Sequence, residues 1–273
     1  MLTFVLFSAM ETITSLQNPK VKHILQLQEK SRERKRQGLF VVEGEREILL
    51  ALEGGYSLAL LFVCTQLKPL AERVEQNLSE AVKLFDLSKP VFDKLAYREN
   101  SDGLIAVVEA KPNRLETVKL SDNPFIVVLE SVEKPGNLGA ILRTADAAQA
   151  DAVVVCDPLC DVYNPNAIRS SVGCLFTTQV AVSTSEEVLA WLQQHGIVAY
   201  AAELKASQWY HETDMSKACA VVMGTEADGL SDFWLQNADA RIKIPMRGKI
   251  DSLNVSVSTA VLTFEAMRQR GFK

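Results

Sequence analysis

Apolar residues in the first part of the chain occur in two patterns, one with helical spacing and one in short continuous runs typical of strands. Val21, Ile24, Leu25 and Leu27 recur at helical spacing, which predicts an amphipathic helix. Short β-rich runs follow, separated by segments with helical patterning. The predicted strands are residues 39–42, 58–63, 82–85 and 104–109, and the predicted helices are residues 45–52, 67–78 and 89–97. This alternation predicts a small α/β domain over residues 12–110.

The second half of the chain has stronger apolar runs in the same alternation. They predict strands at residues 125–129, 152–156, 177–180, 197–200, 220–223 and 240–244, and a long final helix at residues 255–270. Near-continuous apolar strands between helices are typical of a mostly parallel sheet that is covered on both faces. The polar stretch 111–123, with Pro112 and then Pro124, predicts a linker before a larger α/β domain over residues 124–273.

Composition excludes several classes of protein. The 273 residues are 48% hydrophobic and 23% charged, which excludes disordered, collagen-like and coiled-coil chains. A net charge of −5 also argues against a protein that coats nucleic acid over its whole surface.

The charge is unevenly distributed, however. The segment Lys20 to Arg36 carries +5 and the rest of the chain −10. A local basic face is sufficient to contact phosphates, although a merely solvated helix face remains the alternative. The candidate RNA-binding residues are Lys20, Lys22, Arg32, Arg34, Lys35 and Arg36.

Other features predict a cytoplasmic protein without a metal. The five cysteines include no C-x-x-C pair, which is typical of reduced thiols. Residues 1–10 lack the basic start and cleavage site of a signal peptide, and Met10 is a candidate start of the natural chain. No apolar run approaches the length of a membrane span. No His, Cys or Asp cluster has metal-ligand spacing.

Three polar segments each follow a predicted strand, at the edge where parallel sheets bind ligands. The first, residues 130–146, contains Gly136 and Gly139 in a spacing that matches neither a dinucleotide fingerprint nor a phosphate loop. This disfavours a nucleotide-binding oxidoreductase. Asn137 is open to two interpretations, a helix cap or a site residue, and Arg143 is either a surface arginine or a functional one.

The other two segments are residues 223–230 and 244–256. In the first, Gly224 and Gly229 bracket Glu226, which fits a tight turn into a helix as well as a site. In the second, Ser252 and Asn254 interrupt an otherwise apolar stretch, and each is also a candidate helix cap.

Together the three segments resemble a known family. The stretches N-L-G-A-I-L-R-T-A-D-A, M-G-T-E-x-x-G-L and I-P-M-x-G-x-x-x-S-L-N-V-S-V-S-T-A look like the signature motifs of the SpoU/TrmH family, in the SPOUT class. Its members are S-adenosylmethionine-dependent RNA ribose 2′-O-methyltransferases. The first half, through Asn18-Pro19-Lys20 and residues 40–46, resembles the L30e-like substrate-binding domain of members that act on ribosomal RNA.

The resemblance implies a fold that periodicity does not. It implies a SPOUT methyltransferase domain, a mostly parallel sheet with a C-terminal trefoil knot, preceded by a small L30e-like α/β domain. Knots are very rare, so pattern reasoning alone does not propose one. The family also implies a homodimer with the site near the subunit interface.

Site roles follow from the same resemblance. Arg143 is implied as the base or as the group that stabilises the developing alkoxide. Asn137 and Glu226 are implied to brace the motif loops or Arg143 itself, and Ser252 and Asn254 to lie close to the ribose or the cofactor. The implied cofactor-binding residues are Ala201, Ala202, Gly224, Gly229, Ile244, Met246 and Leu253.

The implied function is methyl transfer from S-adenosylmethionine to a ribose 2′-hydroxyl of RNA, with 23S rRNA as the first expectation. Two alternatives stay open: a tRNA 2′-O-methyltransferase, and a non-catalytic RNA-binding or ribosome-assembly protein with the same fold.

Overall fold

The computed structural model describes residues 10–97, 101–206 and 208–272. The chain divides into two compact units, which are described separately. The first comprises the described part of Met1–Lys111 together with Tyr163–Arg169, and the second comprises Pro112–Val162 and the described part of Ser170–Lys273.

The first unit is a mixed sheet with helices. Its elements are β1 (Glu11–Ile13), α1 (Pro19–Glu29), α2 (Ser31–Gln37), β2 (Leu39–Glu43), α3 (Glu45–Glu53), β3 (Leu58–Val63), α4 (Glu72–Gln76), β4 (Lys83–Leu87), α5 (Lys89–Leu95) and β5 (Leu104–Glu109). The strand order is β1-β4-β3-β5-β2. Strands β1, β4 and β3 pair in parallel, whereas β5 runs antiparallel to both β3 and β2.

Helix α1 forms as the apolar spacing predicts. Asn18 caps it by accepting a hydrogen bond from the Lys20 backbone N–H at 2.8 Å. Val21, Ile24 and Leu27 are fully buried on its inner face. The basic segment is not one helix, because the chain breaks at Lys30 before α2 begins.

The helix predicted over residues 67–78 is wrong in extent, since only Glu72–Gln76 is helical. The backbone N–H groups of Leu67 and Lys68 both bond back to the Cys64 carbonyl in a turn. Pro69 then interrupts any continuous helix because it lacks a backbone donor.

The second unit contains the parallel sheet. Its elements are β6 (Phe125–Glu130), α6 (Pro135–Ala147), β7 (Ala152–Cys156), α7 (Pro165–Ser171, of which only the end belongs to this unit), β8 (Val180–Ser183), α8 (Ser185–Gln194), β9 (Val198–Ala202), β10 (Gln208–Trp209), β11 (Cys219–Met223), α9 (Asp232–Asn237), β12 (Ala240–Lys243) and α10 (Val255–Gln269). The strand order is β10-β12-β9-β11-β6-β7-β8, and each neighbouring pair is parallel.

This order places distant parts of the chain side by side. From β6 the chain moves to β7 and β8 on one side, then returns to β9 on the other. Strands β6 and β11 become neighbours, and their carboxyl ends lie together at the point where the strand order reverses. In open parallel sheets, ligands bind at such a point. The trefoil knot implied by the resemblance stays a prediction.

Two details differ from the sequence prediction. The strand predicted at residues 177–180 begins only at Val180, because the backbone N–H groups of Thr177 and Thr178 both bond back to the Cys174 carbonyl. Much of the predicted linker is packed in the second unit: Leu115 is buried in its core, and Val182 N–H donates to the Asn113 carbonyl at 2.8 Å.

Arg270 anchors the end of α10 at the amino edge of the sheet. Its guanidinium donates to the carbonyl oxygens of Asn123 at 2.6 Å and Pro124 at 3.2 Å, just before β6. It also donates to Met215 O at 3.0 Å and to Lys217 O, just before β11. One side chain thus ties the helix to the amino ends of the two central strands.

Replacing Arg270 with alanine is expected to lower the free energy of unfolding by about 2 to 3 kcal/mol, since several charge-assisted hydrogen bonds to backbone carbonyls are lost. Arg268→Ala is the matched control. Arg268 lies on the same helix, but its 63% exposed side chain bonds only to the Glu265 carboxylate and to no backbone carbonyl, so a smaller loss of about 1 kcal/mol is expected. Denaturant unfolding of both variants measures the difference, and equal destabilisation would contradict this assignment.

Candidate active site

Three loops of the second unit meet at the Glu226 carboxylate. Glu226 follows β11, and its Oε1 accepts a hydrogen bond from Asn137 Nδ2 in α6 at 2.9 Å. The same oxygen accepts a hydrogen bond from Asn254 Nδ2 at the start of α10. Asn254 Nδ2 also donates to Asn137 Oδ1 at 3.2 Å, which closes a ring of three side chains. We call Asn137, Glu226 and Asn254 the polar ring.

The polar ring joins residues from all three motifs that the sequence singles out. Lys134, which immediately precedes α6, adds an ion pair to Glu226 Oε2. The Lys134 ammonium, then the Asn137 amide and more weakly the Asn254 amide lower the pKa of Glu226, against an opposing effect of partial burial. Glu226 is therefore an ionised acceptor that holds the loops together.

The two asparagines have different local roles. Asn254 is a helix cap, because its Oδ1 accepts from the backbone N–H of Ser256 at 3.0 Å, while its amide nitrogen serves the polar ring. Asn137 is not a cap: α6 begins at Pro135, and the cap position belongs to Lys134. The cap interpretation is thus confirmed for Asn254 and wrong for Asn137.

Gly224 and Gly229 shape the loop that carries Glu226. Thr225 N–H donates to Gly229 O at 3.0 Å, and Gly229 N–H donates back to Thr225 O at 3.3 Å. A Cβ on Gly224 would lie 2.1 Å from the Gly229 carbonyl carbon, so only glycine fits there. Gly229 adopts a left-handed φ of 72°, which also favours glycine.

Beside the polar ring, a pocket of about 330 Å³ lies along the loops that follow β9, β11 and β12. Six of the seven predicted cofactor-binding residues line it: Ala202, Gly224, Gly229, Ile244, Met246 and Leu253. Glu226 and Ser252 line it as well. Ala201 does not, since its side chain is fully buried within β9 and packs in the core.

The pocket also has walls that motif matching does not indicate. Glu203, Lys205, Lys243, Ser258 and Leu262 line it. Glu203 and Lys205 follow β9 and Lys243 ends β12, so the rule that ligands bind at strand ends points to them. Ser258 and Leu262 are reached only because α10 packs over this edge, which no local pattern indicates.

Arg143 lies outside the residues that line the pocket. It is exposed on α6, six residues after Asn137, and makes no hydrogen bond or ion pair with any residue that the structure describes. Its guanidinium is therefore available to a ligand or to another chain.

The predicted RNA-binding residues of the first unit are not equivalent. Lys22, Arg32, Lys35 and Arg36 are exposed, Arg36 in an ion pair with Glu33. Lys20 is half-buried and pairs with Glu11. The prediction for Arg34 needs correction, because this residue is only 4% exposed. Its guanidinium donates to the carbonyls of Leu27 at 2.6 Å and Gln28 at 3.0 Å, so it stabilises the turn between α1 and α2.

Other sequence expectations concern absences. The part of the chain that the structure describes contains no group of three or more His, Cys, Asp or Glu side chains suited to a metal ion. None of its helices has the length and apolar character needed to cross a bilayer. The five cysteines, all within the described ranges, are free, and Cys64, Cys156 and Cys219 are buried.

Fold and site together define an α/β protein with a ligand pocket at the carboxyl edge of a parallel sheet and a separate small unit with a basic surface. A model of the SpoU rRNA Methylase family matches residues 124–264, more than half of the chain. This chain belongs to that family, which confirms the resemblance seen in the three motifs. A model of the MRM3-like substrate binding domain matches residues 18–106.

Individual relatives agree over nearly the whole length. The chain is 29% identical over 255 residues to the 23S rRNA (guanosine(2553)-2′-O)-methyltransferase RlmP of Bacillus subtilis, covering 93% of this chain and 98% of the relative. The crystal structure of an RNA 2′-O ribose methyltransferase is 39% identical, with a TM-score of 0.81 over 95% of this chain and 99% of that one. The SpoU methyltransferase AviRb from Streptomyces viridochromogenes, in complex with the cofactor AdoMet, is 27% identical, with a TM-score of 0.86 over 93% and 98%.

The polar ring predicts a shared acid titration. Because the pKa of Glu226 is lowered, its hydrogen bonds are complete above the ordinary glutamate pKa and are lost as the pH falls through the lowered value. The side-chain amide signals of Asn137 and Asn254 in ¹H–¹⁵N NMR spectra are expected to move together, with a midpoint below the ordinary glutamate pKa. Glu226→Gln should abolish this transition, and its persistence in that variant would refute the assignment.

Proposed function

We propose that this chain transfers a methyl group from S-adenosylmethionine to a ribose 2′-hydroxyl of ribosomal RNA, with 23S rRNA as its substrate. The observation that carries the proposal is the pocket beside the polar ring, within the unit that matches the SpoU family. The relatives named for 23S rRNA, and the match to a substrate-binding domain, favour rRNA over tRNA. The substrate implies action in the cytoplasm, where ribosomes work.

The residues present fit the cofactor. A volume of about 330 Å³ is at the lower end of the range for small-molecule pockets. Apolar walls such as Leu253 and Leu262 suit an adenine ring, and backbone groups at Gly224, Ile244 and Met246 suit its polar edges. The Glu203 carboxylate suits a ligand that carries a sulfonium and an ammonium group, and the Lys205 and Lys243 ammonium groups suit its carboxylate.

The bound cofactor supplies an electrophilic methyl group. The chain must then orient the ribose and stabilise the alkoxide that develops on its 2′-oxygen. Arg143 is suited to the second task, because a guanidinium remains protonated and offers five donors. Ser252, exposed at the pocket, is suited to orienting the ribose through its hydroxyl. The hydroxyl proton passes to solvent in this scheme.

Glu226 is a poor candidate for the base. Both of its carboxylate oxygens already accept hydrogen bonds, and these donors lower its pKa. A base requires a free lone pair and a pKa nearer the working pH. The role that the contacts support is to brace the motif loops.

RNA recognition falls to the first unit in this proposal. Lys22, Arg32 and Lys35 are exposed, and none has a hydrogen-bond or ion-pair partner among the residues described. Phosphate contacts by such groups supply sequence-independent affinity that weakens with salt. The proposed RNA-binding surface therefore consists of Lys22, Arg32, Lys35 and Arg36. It excludes the buried Arg34.

The homodimer is part of the same proposal. Helix α10 buries one face and leaves an apolar stripe on the opposite face, where Val257 is 48% exposed and Phe264 is 42% exposed. They are seven residues apart and therefore share a face. Helix α6, which carries Arg143, packs beside α10. A second copy on this stripe would lie close to the exposed guanidinium.

Arg143→Ala is expected to reduce methyl transfer to unmethylated 23S rRNA by about a hundredfold or more, because one preorganised charge is lost. S-adenosylmethionine affinity, measured by calorimetry, should not change. Arg143→Lys should keep part of the activity, since a point charge replaces the guanidinium. The control is Arg73→Ala, an exposed arginine of α4. Full activity of Arg143→Ala, or methylation of tRNA instead of rRNA by the wild type, would contradict the proposal.

The double variant Val257→Ser, Phe264→Ser is expected to sediment as a single chain at concentrations where the wild type sediments as two. The reason is the loss of apolar area at the proposed interface. Leu16→Ser is the matched control, because Leu16 is 43% exposed but lies in the first unit. A wild type that stays monomeric in analytical ultracentrifugation would exclude the dimer.

A further inference from the structure

Lys134 holds the oxygen of Glu226 that the polar ring leaves open. Both asparagine amides donate to Oε1, and the Lys134 ammonium pairs with Oε2. Nothing else among the residues that the structure describes bonds to Oε2. The carboxylate is thus held at two points, and the lysine supplies one of them.

The position of Lys134 makes this contact well defined. It occupies the cap position of α6 with an extended backbone, and Pro135 follows as the first residue of the helix. Proline restricts both its own φ and the backbone of the residue before it. The stem of the lysine therefore starts from a fixed point, although 65% of its side chain is exposed.

The carboxylate that Lys134 holds is a junction between loops. Rotation of the Glu226 carboxylate would move Oε1 away from Asn137 in α6 and from Asn254 at the start of α10. Asn254 also caps α10, so its amide can serve Glu226 in only one orientation. An ion pair that is weak by itself can therefore affect three loops at once.

We propose that Lys134 is a positioning residue of the methyl-transfer site: its ammonium fixes the rotation of the Glu226 carboxylate and, through it, the amides of Asn137 and Asn254. Only the expected effect on methyl transfer rests on the proposed function. The positioning of Glu226, Asn137 and Asn254 by Lys134 does not depend on it. The lysine does not touch the reacting atoms in this scheme.

The first test measures position without activity. Lys134→Met removes the charge and keeps the stem, Lys134→Arg keeps a charge, and Lys119→Met removes an exposed lysine elsewhere in the unit. In Lys134→Met, the midpoint of the shared titration of the Asn137 and Asn254 amides should move upward by about half a pH unit. This corresponds to a two- to fivefold decrease in the acid dissociation constant of Glu226, the size expected for loss of an exposed ion pair. Lys134→Arg and Lys119→Met should titrate as the wild type does. An unmoved midpoint in Lys134→Met overturns the proposal.

The second test measures turnover. At saturating cofactor and RNA, Lys134→Met should lower kcat several-fold with unchanged RNA affinity, and Lys134→Arg should restore it. Weaker RNA binding with a reduced salt dependence and an unmoved titration would overturn the proposal and make Lys134 a phosphate contact. A titration that moves while even the wild type transfers no methyl would support the positioning role and refute the proposed function.

Discussion

The candidate site of the second unit is organised by one carboxylate, Glu226, which accepts from two other segments of chain, residues 134–137 and Asn254. Glu226 lies 89 residues from Asn137 and 28 residues from Asn254, yet all three side chains share hydrogen bonds. An ionised carboxylate only accepts, and an asparagine amide can both donate and accept, so the set is complementary. Two of these segments, around Glu226 and just before α10, also line the pocket beside it.

The sheet makes this junction possible before any side chain contributes. Strands β6 and β11 pair in register from Phe125 with Cys219 to Leu129 with Met223, so their ends leave the sheet at the same level. Helix α10 is then fixed at both ends, by Asn254 at the site and by Arg270 at the opposite edge. Both ends of α10 are therefore tied by side-chain hydrogen bonds to segments next to β6 and β11.

Sequence patterning predicts most strands well because their apolar runs are continuous. The strands at residues 58–63, 104–109 and 152–156 have the bounds that the pattern predicts. Patterning does not predict the burial or the partners of a side chain where contacts between distant parts of the chain determine them. Arg34 has the same charge as its neighbours, yet its side chain is buried and donates hydrogen bonds to two carbonyls at the end of α1. The motifs predict that Asn137 and Asn254 matter, but only the fold shows that they bond to each other.

Charge presents a conflict that the structure resolves locally. A pocket suited to a cationic cofactor needs carboxylates, whereas an RNA substrate is repelled by them. The proposed RNA-binding residues lie on α1 and α2, whereas the pocket carboxylates Glu203 and Glu226 lie on the second unit, where Lys205 and Lys243 also line the pocket. At Glu226, beside the pocket, the ammonium of Lys134 offsets the negative charge. A chain with net charge −5 can therefore present an RNA-compatible surface at both places where contact is proposed.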